Sequence, residues 1–145
     1  MPKAYASTVV GASAAEVWGA VRDFGALSTW HPGVDESRIE DGDLPDRVGC
    51  VRYLKLGDGG VVRERLLMLC DAERSYVYNF ETTPFDVKNY EATLRVTPVT
   101  DTDEAFVEWW TTFDCDVAKS GEWVSTFAGG VFKGGLDALK ARFAG

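Results

Sequence analysis

From residue 34 to residue 115 the apolar side chains recur at every second position, and the turn residues between them fall at regular intervals. That pattern predicts six strands, at 34–41, 48–56, 61–70, 76–82, 87–97 and 105–115, with turns at Gly57-Asp58-Gly59-Gly60, at 71–74, at Thr83-Pro84-Phe85 and at 98–104. A first strand at 3–10 brings the number to seven. No helix-length segment separates consecutive strands within this span, so the sheet is antiparallel and a doubly wound parallel sheet is excluded. The last strand alternates most cleanly. Ala105, Val107, Trp109, Thr111, Phe113 and Cys115 share the face expected to point inward.

Helical spacing appears only at the two ends. Ser13 and Glu16 have the spacing of a capping box, and Val17, Trp18, Val21 and Phe24 form one apolar stripe that Gly25 closes. A second short helical turn at 26–30 is cut by His31-Pro32-Gly33, because the residue before a proline is pushed out of the α region. Residues 120–143 carry a continuous stripe from Trp123 through Phe127, Phe132 and Leu136 to Phe143, read as one long helix. It contains Gly129, Gly130, Gly134 and Gly135, each costing about 0.5–1 kcal/mol relative to Ala in a helix interior. Two explanations are open: the helix backbone approaches the sheet closely, or the missing side chains leave room for a ligand or a hinge.

Composition narrows the function. The 145 residues suit one domain, and 15 basic against 23 acidic side chains give a net charge of −8 with no basic cluster, so nucleic acid is not an expected partner. No apolar run of membrane-spanning or signal-peptide length is present, which predicts a cytoplasmic protein without membrane insertion. Cys50, Cys70 and Cys115 are widely spaced and odd in number, so they read as reduced, small apolar residues. With His31 the only histidine, and no calcium-loop pattern in the acidic run from Asp35 to Asp46, no metal site and no cofactor are expected.

A curved sheet of seven strands has one long apolar element to bury its concave face against, and one straight helix cannot fill it; the remainder is a cavity. The order of strand, two short helices, six-strand meander and long helix, with Trp30-His31-Pro32, Arg47-Val48-Gly49-Cys50, Glu64-Arg65-Leu66, Asn89-Tyr90 and Phe127-Ala128 followed by Val131, resembles the START-like helix-grip superfamily. It is most similar to the bacterial polyketide cyclase/dehydrase branch, and also resembles the plant abscisic acid receptors and the birch pollen allergen family. The resemblance implies an α+β helix-grip fold whose internal cavity takes up small hydrophobic molecules and, in some relatives, cyclises or dehydrates them. It places His31, Leu54, Leu56, Val62, Glu64, Tyr78, Phe80, Val87, Tyr90, Ala92, Trp109, Thr111, Phe127, Val131 and Gly135 on the cavity wall. The turn at 57–60 is shorter than the hormone receptors' gate loop, and Phe85-Asp86-Val87 replaces their latch, so ligand-gated closure is not implied. Gly135 in place of a polar residue implies extra room at the helix, and Trp109 implies a more apolar sheet.

Three side chains are candidates for chemistry. Glu64, inward between Val62 and Leu66, is a carboxylate with a raised pKa able to move a proton, or else an inert partner of Arg52 across the same hairpin. Centring that hairpin on Gly59 places Leu54 opposite Glu64 and Leu56 opposite Val62. His31 is a proton shuttle near the cavity mouth or a loop residue capping the helix end. Tyr90, like Tyr78, offers a phenol hydrogen bond or is simply wall. The resulting expectation is binding or carriage of a small hydrophobic polyketide, lipid or aromatic compound by a monomer or homodimer. The alternatives are a cyclase, aromatase or dehydratase using Glu64 and His31, and an interaction module built on outward-facing Trp110, which otherwise packs under the first helix.

Overall fold

Residues 1–144 are described by the computed structural model. The strands are β1 (Lys3–Val10), β2 (Val34–Ile39), β3 (Val51–Leu56), β4 (Val61–Cys70), β5 (Ser75–Thr82), β6 (Lys88–Val99) and β7 (Glu104–Asp114). They form one antiparallel sheet in the order β1-β7-β6-β5-β4-β3-β2. This is the seven-stranded antiparallel sheet that the spacing predicts, in the α+β helix-grip arrangement that the resemblance implies. Its ends differ where backbone geometry overrides side-chain period. β2 stops at Ile39 because Glu40–Gly42 turns, with Asp41 at φ 60°. β3 begins at Val51 because residues 47–50 form a turn, closed by Cys50 N–H donating to the Arg47 carbonyl at 3.0 Å, in which Gly49 takes φ 97°.

The β3–β4 hairpin corrects one expected register. Its turn is centred on Asp58, not Gly59: Leu56 N–H donates to the Gly60 carbonyl at 2.8 Å, and Gly59 takes the left-handed φ of 87°. Leu54 therefore faces Val62, and Arg52 faces Glu64. A slip of two residues changes partners and keeps faces, so the inward parity survives.

Helix α1 (Ala14–Val21) is capped by Ser13, whose Oγ accepts Glu16 N–H at 3.2 Å. Gly25 does not terminate it through a left-handed φ. A Cβ at Gly25 would meet Ile39 Cγ1 at 2.7 Å, so the position is set by close approach to β2. A 3-10 turn follows at Leu27–Thr29. Surface bonds fasten α1 to the β4–β5 turn: Trp18 Nε1 donates to Asp71 Oδ1 at 2.8 Å, and Arg22 reaches both oxygens of Asp71 at 2.7 and 3.0 Å.

The C-terminal helix is long but interrupted. After a 3-10 turn at Val117–Lys119 come α2 (Ser120–Ser125), a π-helical segment (Thr126–Lys133) and α3 (Gly134–Arg142). Sequence periodicity predicts an unbroken helix; the π segment is the difference. Its buried residues explain it, since Phe127 and Phe132 stand five apart, the interval of a π turn, before Leu136 and Leu139 resume α spacing. The stripe packs into the concave face together with Val10, Val17, Phe24, Leu94, Val107 and Phe113, all inaccessible to solvent.

Trp110 lies on the opposite, outer face and stacks on Tyr5 at 6.3 Å, with Lys3 Nζ 5.9 Å from its ring. It does not pack under α1, which sits on the concave side with Trp18 6.1 Å from Tyr76. The three cysteines are free, and no helix among the described residues is long and apolar enough to cross a membrane.

Candidate functional site

The sheet, the 31–34 loop, the β3–β4 turn and the π segment line a partly open cavity of about 350 Å³. Strand parity brings Leu54 and Leu56 from β3, Val62 and Glu64 from β4, Tyr78 and Phe80 from β5, Tyr90 from β6 and Trp109 from β7 to its wall; Phe127 and Val131 line it from the helix, and His31 from the loop. Four expected residues do not line it. Ala92 and Thr111 are paired neighbours on β6 and β7, both at 0% exposure, and lie in the packed core, where Thr111 Oγ1 donates to the Glu91 carbonyl at 2.9 Å. Val87 lies in the β5–β6 turn, where its N–H donates to the Phe85 carbonyl at 2.9 Å, and the Phe85 ring takes the place on the wall.

Gly135 is the fourth, and here the expected extra room is absent. A Cβ on Gly135 would come within 2.6 Å of His31 Cδ2 and 2.9 Å of Trp109 Cζ3. The histidine and tryptophan rings occupy the notch that the glycine opens. Gly129 and Gly130 meet nothing within 4 Å, and Gly130 lines the cavity, so close approach accounts for Gly135 and open space for Gly130.

The wall is aromatic. Phe80 and Tyr90 stack at 3.8 Å with 12° between planes, Phe127 stands edge-on to Tyr90 at 5.1 Å, and Phe85 edge-on to Phe127 at 5.5 Å. Tyr78 accepts a hydrogen bond from Trp109 Nε1 at 3.0 Å. Burial raises the pKa of both Tyr78 and Tyr90, so each phenol keeps its proton.

One polar pair interrupts this surface. Arg52 Nε and Nη2 both approach Glu64 Oε1 at 2.8 Å, and Nη1 donates to the Phe24 carbonyl at 3.2 Å. The guanidinium carbon lies 4.0 Å from the Phe24 ring centre and 4.6 Å from that of Tyr78. Desolvation pushes the Glu64 carboxyl upward against the pull of Arg52, while Arg52, although burial disfavours its charge, is held protonated by Glu64 and the surrounding tyrosines. The direct register opposition of these residues is what joins them.

His31 is also committed. Its Nε2 lies 2.6 Å from the Val131 carbonyl, which only accepts, so Nε2 carries the proton and Nδ1 accepts Gly33 N–H at 3.0 Å. Burial lowers its pKa, more than its contact with Val131 raises it. Among residues that sequence reasoning did not place on the wall, Arg52 shares the parity of Leu54 and carried a legible signal. Phe85, Gly33, Gly57 and Asp58 sit in loops, where no period exists to read.

Residues 1–144 match the family model described as polyketide cyclase / dehydrase and lipid transport. The chain belongs to this family. Other structures share its form. A protein from Thermobifida fusca is 35% identical, with a TM-score of 0.90 over 99% of this chain and 93% of its own. XoxI from Bacillus cereus is 31% identical, with a TM-score of 0.89 over 99% and 96%. A START superfamily protein from Mycobacterium smegmatis, 19% identical, shares the fold with a TM-score of 0.76 over 99% and 97%. No curated protein matches the sequence. For this member of the polyketide cyclase/dehydrase family the START-like helix-grip fold is therefore established, and the cavity lies between its sheet and its helix.

Proposed function

We propose that the protein binds a small hydrophobic molecule in this cavity and acts as its carrier. The observation that carries this reading is the cavity itself: a partly open, aromatic-walled space between sheet and helix. At about 350 Å³ it lies at the lower end of the range for ligand sites, which favours a compact molecule of one to a few rings over a sterol or a long acyl chain.

A cyclase or dehydratase needs one group to take a proton and another to deliver it. His31 has both ring nitrogens engaged, and Glu64 is held by Arg52, so the geometry supports binding more strongly than acid–base turnover. Native mass spectrometry of the purified protein, followed by thermal shift against compact aromatic compounds, tests the reading. A ligand at about 100 times its Kd adds about 2.7 kcal/mol of stability, a rise of several degrees. No retained molecule and no shift with any compound would remove the proposal.

A further inference from the structure

The cavity's charges point to a narrower ligand class, an inference that rests on the cavity-binding reading. Three charged side chains line the space: Arg52, Asp58 and Glu64. Arg52 is the only cation among them: Nε donates to Glu64 Oε1, Nη1 donates to the Phe24 carbonyl, its face lies against two aromatic rings, and Nη2, 2.8 Å from the same carboxylate oxygen, makes no hydrogen bond but is buried away from the space. His31 brings no charge, because its neutral tautomer is fixed between Val131 and Gly33.

Both guanidinium contacts fall on one carboxylate oxygen, so Glu64 Oε2 is left without a guanidinium partner on a residue that is only 5% exposed and lines the cavity. An apolar ligand covering that oxygen would strip its water and return nothing. An anionic ligand would meet Glu64, and Asp58 in the β3–β4 turn, while the one cation, Arg52, is paired with Glu64 and only 1% exposed. A hydroxyl donor satisfies Oε2 and adds no charge to a pair that is already neutral. Adjacent rings favour a flat body, since the Phe80–Tyr90 stack and the Phe127 edge form a slot.

We infer that the cavity selects an uncharged aromatic molecule bearing a hydroxyl group, which donates its hydrogen bond to Glu64 Oε2, and that it excludes the carboxylate of the same ring system. The test is the quenching of tryptophan fluorescence from Trp109 and Trp30 at neutral pH, with four probes on one bicyclic frame: naphthalene, 2-naphthol, 2-methoxynaphthalene and 2-naphthoate. A hydrogen bond to a charged acceptor contributes about 1.5–3 kcal/mol, so 2-naphthol binds at least about tenfold more tightly than naphthalene or the methoxy compound. It also binds about a hundredfold more tightly than 2-naphthoate.

Glu64→Gln reduces the preference for naphthol over naphthalene to about threefold, with circular dichroism verifying the fold. The methoxy probe removes the donor from the ligand side, so the wild-type series decides the question even where that variant folds poorly. Equal binding of naphthol and its methyl ether, or binding of naphthoate as tight as that of naphthol, overturns the inference and leaves the carrier reading standing. Failure of all four probes to bind overturns both.

Discussion

Two glycines on the C-terminal helix, six residues apart, should respond to the same substitution with opposite signs. At Gly135 an added methyl would lie 2.6 Å from His31 Cδ2 and 2.9 Å from Trp109 Cζ3. Neither ring moves freely: His31 is bonded at both nitrogens, and Trp109 is bonded to Tyr78 and stacked on Phe132 at 4.9 Å. Overpacking a fixed core costs about 1–3 kcal/mol, and displacing His31 from the Val131 carbonyl costs about 1 kcal/mol more. Helix propensity returns about 1 kcal/mol. Gly135→Ala is therefore destabilising by about 2 kcal/mol, a fall in Tm of about 4–8 °C for a domain of this size. At Gly129 an added Cβ meets nothing within 4 Å, so Gly129→Ala keeps the propensity gain of about 0.5–1 kcal/mol and raises Tm by about 1–4 °C. Urea unfolding followed by tryptophan fluorescence measures both. A Gly135→Ala protein at least as stable as Gly129→Ala would refute the packing assigned to the notch.

Three further outcomes follow from the ion pairs and the histidine. Arg52→Met strands a buried carboxylate and lowers stability by about 3–5 kcal/mol, whereas adding Glu64→Gln to it restores a large part; equal urea midpoints for the single and double variants would contradict the pairing. The Asp71 carboxyl is held at about 2, below its ordinary 3.8, by bonds from Arg22 and Trp18. Its contribution is present above the unfolded value and lost as pH falls through the folded one, so the Tm gap between wild type and Asp71→Asn closes between about pH 4 and pH 2. For His31, burial lowers the folded-state value below the ordinary 6.5. The unfolded chain then binds the proton first, so this residue's part of stability is complete above about pH 6.5 and declines below it. Ring resonances followed by NMR should titrate below 6.5 with the proton on Nε2 at neutral pH, and a midpoint at or above 6.5 would contradict the desolvation of the ring.

Strand parity made most of the wall legible. Leu54, Leu56, Val62, Glu64, Tyr78, Phe80, Tyr90 and Trp109 share their inward face because a pleated strand alternates strictly, and a register error of two residues leaves that face unchanged. Depth along the strand was not legible. Ala92 and Thr111 have the correct parity and lie in packed core, because alternation carries no information about where the helix touches down. The loop contributors Phe85, Gly33 and Asp58 had no period at all. The π segment was hidden for a different reason: an apolar stripe rich in glycine fits both α and π spacing, and only the burial of Phe127 together with Phe132 distinguishes them.

The division of labour between His31 and Glu64 separates the proposed carrier reading from the enzymatic one. Both are titratable and both line the cavity, yet they are spent differently. The imidazole fills the space above Gly135, donates to Val131 and accepts from Gly33, so its polarity joins the loop to the helix and leaves nothing for a ligand. Glu64 uses one oxygen on Arg52 and keeps the other. His31 leaves no ring nitrogen for a proton relay through the cavity, whereas the proposed recognition of a single hydroxyl on a flat apolar body needs only Glu64 Oε2. Arg52 fixes the Glu64 carboxylate and leaves Oε2 as an acceptor at the cavity wall, which is the property the proposed carrier requires.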